Sequence, residues 1–183
     1  MTETTMPQGI QPVIKLADLV KPAAIPQPFV LSDEERHEIE HELTHYPDSR
    51  AASIEALKIV QKHRGWVCDE AIPVIAAAIN ISAADLEGVA TFYNLIFRQP
   101  VGRHVIKVCD SISCHLTGYE ELRDSLIETL GVRLGGTTPD NRFTLLPICC
   151  LGACDRGATL MIDDDLHGPV EPAQVKAMLE AYK

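Results

Sequence analysis

Cys109-Asp110-Ser111-Ile112-Ser113-Cys114, followed 36 positions later by Cys150-Leu151-Gly152-Ala153-Cys154, are the stretches on which the reading of this chain turns. Each begins where a strand-like run gives way to a loop. Residues 103–109 alternate, with Val105 and Cys109 on one face and Ile106 and Val108 toward the other, as a strand requires. Residues 142–148 read as a second strand. Between them a helix is predicted from about Gly118 to Leu130. Leu122, Leu126 and Leu130 stand four apart, and Gly131 follows as a C-terminal stop. Ala158–Asp163 reads as a third strand, and a short fourth is possible before Gly168. Pro172 then opens a last helix with Val175, Met178, Leu179 and Tyr182 on one face. The order is β-α-β, then β-β-α, which makes a small α/β layer at 103–183.

Upstream the period changes from two to that of a helix. Ser32 and Glu35 have capping-box spacing, with Leu31 placed as a staple residue and Ile39, Leu43 and Tyr46 at helical spacing behind them. After Pro47-Asp48 a second helix buries Ile54, Leu57 and Val60 and stops at Gly65. A third starts near Asp69, accepts Pro73 in its first turn, and aligns Ile72, Ile75, Ala76 and Ile79. A fourth is signalled by Ser82 and Asp85, with Leu86, Val89, Ala90 and Tyr93 aligned and Phe97 one turn on. Four short helices and no strand signal describe a helical bundle over 31–97. Arg98-Gln99-Pro100-Val101-Gly102 breaks the helix and forms a linker over 98–102. Residues 1–30 carry Pro7, Pro12, Pro22, Pro26 and Pro28 and read as an extended arm, either free or laid on a partner.

Composition narrows the function. Of the 183 residues, 46% are hydrophobic and 23% charged, so the chain can build packed cores. The net charge of -10 opposes a phosphate backbone or an anionic lipid surface, so no nucleic acid or membrane-surface partner is expected. No apolar run approaches the roughly 18 residues of a membrane span. No basic and apolar leader opens the sequence, so no secretory signal is read, and six cysteines without one suggest a reducing compartment, with a cytoplasmic location expected. In a reducing compartment, clustered cysteines serve metal or redox chemistry more often than structural disulfides.

Five of the six cysteines lie in the α/β half. Two pairs on neighbouring loops can converge on one point. C-x₄-C and C-x₃-C spacings admit structural zinc. A redox disulfide lacks its usual C-x-x-C. A [2Fe–2S] cluster held by Cys109, Cys114, Cys150 and Cys154 suits the longer loops, because the two-iron rhomb is wider than one zinc ion. Gly152 and Gly157 would let backbone N–H groups turn toward the sulfurs. Cys149 with Cys154 is also C-x₄-C, so spacing alone does not choose between Cys149 and Cys150.

These residues resemble the thioredoxin-like [2Fe–2S] ferredoxin signature of the 24 kDa or E subunits of respiratory NADH:quinone oxidoreductase (complex I). Gly88-Val89-Ala90-Thr91-Phe92-Tyr93 is similar to that family's helical-domain motif. Gly102-Arg103-His104-Val105-Ile106-Lys107-Val108-Cys109 and Arg142-Phe143-Thr144-Leu145-Leu146-Pro147 also fit. The resemblance runs from about residue 30 to the end. It implies a small N-terminal helical bundle followed by a thioredoxin-like α/β domain that binds one [2Fe–2S] cluster. The Cys-Leu-Gly-Ala-Cys match selects Cys109, Cys114, Cys150 and Cys154 as ligands. It implies further that FMN and NADH bind only to a partner subunit, tightly paired with this one among other peripheral-arm subunits. The assembly would then lie on the cytoplasmic face of the bacterial inner membrane. Two alternatives stay open: the equivalent diaphorase subunit of an NAD-linked hydrogenase or formate dehydrogenase, and a zinc-stabilised interaction module. Cys149 is unusual for the family, and the arm lies outside the resemblance.

Other signals are weaker. His37-Glu38-Ile39-Glu40-His41 spells H-E-x-x-H, with His45 one turn on, but the segment is dense in charge and reads as a solvated face. Cys68 stands alone and reads as a packing residue or a free thiol. Asp163-Asp164-Asp165 reads as a turn. Phe92 and Tyr93 are expected in the core and between helices. No G-x-G-x-x-G or P-loop is present, so the chain is not expected to bind NADH or ATP by itself.

Overall fold

A computed structural model describes residues 28–183. Most of the proline-bearing arm lies outside these residues. The first helix, α1 (Asp33–Leu43), starts at the capping box read from the sequence. The Ser32 N–H donates to Glu35 Oε2 at 2.8 Å, and the Glu35 N–H donates to Ser32 Oγ at 3.1 Å. Glu35 is also buried, at 1% exposure. Arg64 matches its charge with two bonds of 2.6 Å from Nε and the terminal nitrogen. The same guanidinium bonds the Val30 carbonyl and lies 4.0 Å over the Phe29 ring, fixing the chain's entry into the bundle.

A 3₁₀ turn at Ser49–Ala52 leads into α2 (Ser53–Arg64), which ends at Gly65 with φ +82°, a left-handed cap that glycine adopts without a Cβ clash. Helices α3 (Ala71–Ala78) and α4 (Ala83–Phe92) complete the bundle. Leu57, Val60, Ile72, Ile75, Ile79, Leu86 and Ala90 form its core with Ile39 from α1. Among the described residues no single helix is long and apolar enough to cross a membrane; α3 and α4 pass such a test only as a pair bent by 113°.

The fourth helix is shorter than its periodicity predicts. It ends at Phe92, and Tyr93 leaves helical geometry with φ -88° and ψ 103°. Phe92 is then 80% exposed and Tyr93 43% exposed, which corrects the expectation that both are core residues. Ile96 takes the buried place instead. The cause is a strap across the end of α2. Gln61 donates to the Leu95 carbonyl and accepts from the Phe97 N–H at 2.6 Å, while the Phe97 carbonyl accepts from Val67 at 2.8 Å. Arg98 then bonds the Val67 and Cys68 carbonyls and the carboxylates of Asp69 and Glu87.

At the far end of the linker the Gly102 N–H donates to Thr144 Oγ1 at 2.6 Å. A Cβ on Gly102 would lie 2.9 Å from the backbone of Phe143, so only glycine passes here. The α/β half follows: β1 (His104–Cys109), α5 (Ile112–Leu116), α6 (Tyr119–Leu130), β2 (Phe143–Ile148), β3 (Leu160–Ile162), β4 (Asp165–His167) and α7 (Val175–Glu180). The four strands form one sheet in the order β2-β1-β3-β4. β1 and β2 are parallel, joined by the α6 crossover, with Cys109 opposite Ile148. β3 runs antiparallel to both β1 and β4. Leu122 and Leu126 of α6 and Val175 and Leu179 of α7 pack with Ile106, Val108, Leu145, Leu160 and Ile162 of the sheet. Asp163 and Asp164 form the turn that joins β3 to β4, while Asp165, read as part of that turn, already begins β4. The Asp163 carboxylate caps the start of β1, accepting from the Val105 N–H at 2.9 Å and pairing with His104 at 2.6 Å.

Candidate metal centre

Parallel pairing of β1 and β2 puts their C-terminal ends side by side, the edge where α/β sheets gather ligands. Cys109 is the last residue of β1, and Cys150 stands two residues beyond the end of β2. Cys114 is carried back by α5, a five-residue helix the sequence reading did not include. Cys154 opens a 3₁₀ turn, Cys154–Arg156, on the loop after β2. All four therefore belong to the loops at one sheet edge. Cys109 and Cys114 are buried, and Cys150 and Cys154 are exposed.

The loops around them are tightly defined. The Asp110 N–H donates to the Ile148 carbonyl at 3.0 Å, and the Cys109 N–H donates to the Thr159 carbonyl at 3.1 Å. Thr159, itself 1% exposed, puts its hydroxyl 3.4 Å from Cys114 Sγ. Gly152 adopts φ +75°, and its N–H donates to Cys150 Sγ at 3.3 Å. Gly157 leaves no room for a side chain: a Cβ there would lie 2.3 Å from Thr117 Oγ1 at the end of α5. That close approach holds the loop of Cys154 against the helix of Cys114.

Electrostatics differ between the two buried thiols. Burial opposes ionisation of Cys109, but the backbone of Ser111 and of Leu151, with the Cys114 and Thr159 side chains, outweighs it and holds the thiol below its usual range. Burial pushes the Cys114 thiol up, and the neighbouring Cys109 adds to this against bonds from Thr159.

The donor set fits an iron–sulfur cluster. All four cysteines are free thiols, and amide N–H groups and a hydroxyl are directed at the sulfurs, which offsets the charge of a thiolate-rich centre.

Cys149 departs from its expected place. Strand alternation puts it on the face of Phe143 and Leu145, packed as a small apolar thiol. Instead β2 ends at Ile148, alternation stops there, and Cys149 is exposed. Cys68 is half-buried and packs against the bundle core, as expected. The H-E-x-x-H face is solvated: Glu38 is engaged by His63 at 2.8 Å and by Lys62 at 3.3 Å.

A β-α-β unit continued by a β-hairpin and a helix, with cysteines at the ends of its parallel strands, defines a thioredoxin-like domain. The chain matches the thioredoxin-like [2Fe-2S] ferredoxin family over residues 39–183 and belongs to it. It is similar to the E subunit of the NADH-quinone oxidoreductase of Pseudomonas aeruginosa, at 62% identity over 84% of this chain and 93% of that one. The corresponding protein of Escherichia coli K12 is 59% identical over 85% of this chain and 93% of the relative. Among solved structures, an NAD+-reducing [NiFe]-hydrogenase in the H2-reduced state shares the fold with a TM-score of 0.61. That match has 21% identity and covers 72% of this chain but 22% of the longer hydrogenase chain.

Proposed function

We propose that this chain is the one-electron carrier subunit of an NADH-quinone oxidoreductase. It holds one [2Fe–2S] cluster through Cys109, Cys114, Cys150 and Cys154 and exchanges electrons with FMN on a partner subunit that binds NADH. The pair joins further peripheral-arm subunits on the cytoplasmic face of the bacterial inner membrane. One observation carries the reading: two cysteine pairs leave the adjacent ends of parallel strands, where Cys109 pairs with Ile148 and the Gly152 N–H is directed at Cys150 Sγ. The relatives at 59–62% identity favour this complex over a hydrogenase, whose likeness concerns the fold alone.

The bound cluster supplies reversible one-electron transfer, at a low potential because four thiolates leave it anionic. The chain supplies the setting. Cys109 and Cys114, with Thr159 behind them, close the inner side to water. The N–H groups of Leu151 and Gly152 stabilise negative charge on sulfur. Cys150 and Cys154 leave the outer side at the surface, where a partner's flavin can approach. No side chain at this edge is needed as a general acid, base or nucleophile, because no proton or atom moves.

Reduction separates this reading from its rivals. Dithionite reduces the isolated chain and gives the paramagnetic signal of one [2Fe–2S] centre; NADH does so efficiently only when the flavin subunit is added. Stoichiometric binding of FMN or NADH to the isolated chain refutes the division of labour. A colourless, zinc-loaded protein refutes the cluster.

A further inference from the structure

We propose a second metal site, unrelated to the cluster, at the C-terminal end of α1, where His41, Glu42 and His45 chelate one divalent transition-metal ion such as Ni²⁺ or Zn²⁺. The donor atoms of these three side chains all lie within 4.8 Å of one another. His45 stands in the turn just past α1, where its N–H donates to the Glu42 carbonyl at 3.0 Å and the turn brings its ring beside that of His41. Their rings stand 4.7 Å apart, centroid to centroid, and His45 Nδ1 is 3.4 Å from Glu42 Oε2.

The site shares His41 with the H-E-x-x-H motif but not that motif's first turn, His37 and Glu38. Glu38 is already held by Lys62 and His63, whereas Glu42 and His45 make their side-chain contact with each other. Backbone geometry favours a cation here: the site straddles the last turn of α1, at the negative end of the helix dipole. A surface pocket of ≈ 270 Å³ lined by His37, Glu38, His41, Glu42 and Ile59 adjoins it and leaves room for water ligands. Metal–nitrogen and metal–oxygen bonds of about 2.0–2.2 Å require the three donors to draw in slightly. Both histidines are exposed, so rotamer changes accomplish this without moving backbone. Two imidazoles and one carboxylate select a borderline ion over Mg²⁺ or Ca²⁺.

Nickel is the probe of choice, because imidazole suits it while thiolates select zinc and Cu(I). The cluster-bearing full chain is dialysed against Ni²⁺, and bound nickel is measured by elemental analysis. One nickel per chain is expected. His41→Ala and His45→Ala should each weaken binding by about tenfold or more, since even an outer-shell partner is worth about 10–100-fold in metal affinity. His37→Ala and Cys149→Ala should bind as the parent does. Thermal melting without nickel checks that each exposed substitution leaves the fold intact. Parent-like nickel binding in His41→Ala or His45→Ala overturns the proposal. So does a loss in His37→Ala as large as in His45→Ala, which would move the site to the H-E-x-x-H pair.

Discussion

Gly157→Ala tests whether the close contact between the Cys154 loop and α5 holds the metal centre together. The new Cβ would meet Thr117 Oγ1 at 2.3 Å, Thr117 Cβ at 3.3 Å and the Ser113 carbonyl at 3.5 Å. Carbon–oxygen contacts settle near 3.5 Å, so one partner must retreat by about 1 Å. The hydroxyl cannot swing away freely, because it donates to the Ser113 carbonyl at 2.9 Å and also reaches that of Cys114. Overpacking of this kind costs about 1–3 kcal/mol. In a unit of about 80 residues each kcal/mol lowers the melting temperature by about 4–8 °C. The strain falls three residues from Cys154, so iron should leave for a chelator faster than in the parent. Thr117→Ala alone forfeits the hydroxyl's bonds, about 1 kcal/mol. Combined with Gly157→Ala it removes the 2.3 Å contact. The double variant should then be more stable than the sum of the singles, by a coupling of about 0.5–3 kcal/mol. Thermal melts and iron-release rates on the four proteins complete the cycle. Parent-like melting and iron retention in Gly157→Ala, or strict additivity in the double variant, refutes the reasoning.

Three further outcomes are expected. Cys149→Ala should keep its iron and sulfide and, as an exposed substitution, change stability by no more than about 0.5 kcal/mol; Cys150→Ala should lose the cluster, and the reverse pattern would make Cys149 the ligand. Thr159→Val removes the hydroxyl beside Cys114 while keeping shape, so the reduced, more negative state loses more and the midpoint potential should fall. A bond of about 1 kcal/mol limits the drop to roughly 40 mV in a redox titration. Arg64 holds the Glu35 carboxyl below its ordinary 4.5, against the cost of burial, so the pair's stability is complete above pH 4.5 and fades as pH falls through the folded-state value. Glu35→Gln should therefore cost about 1.5–3 kcal/mol at pH 7 and converge with the parent in acid unfolding curves.

Much of the fold is legible where a residue's local chemistry decides the backbone. Ser32 and Glu35 start α1, and Gly65 and Gly131 stop helices with positive φ, because caps and left-handed glycines act over three or four residues. The two cysteine pairs are legible as strand-end features for the same reason. What escaped the sequence depends on contacts between distant segments. Five residues are too few for α5 to show a helical period. Tyr93 fits the apolar stripe of α4, but the strap from Gln61 ends that helix one residue earlier and buries Ile96 in its place. Cys149 follows strand alternation only if the strand continues, and pairing with β1 ends at Ile148. Thr159 reaches Cys114 from 45 residues away, and nothing local marks it.

The linker is pinned at both ends, by the four partners of Arg98 and by the bond from Gly102 to Thr144. Only Gln99, Pro100 and Val101 remain between these anchors, and proline stiffens the middle one. A fully extended run of that length spans about 14 Å. The bundle and the α/β half are thus joined by a very short tether. A protein surface that has captured one half meets the other at an effective concentration set by this tether, in the millimolar range or above for so short a connection. Two weak contacts, one on each half, then act as a single strong one, and lengthening residues 99–101 with flexible residues would loosen the association without altering either contact.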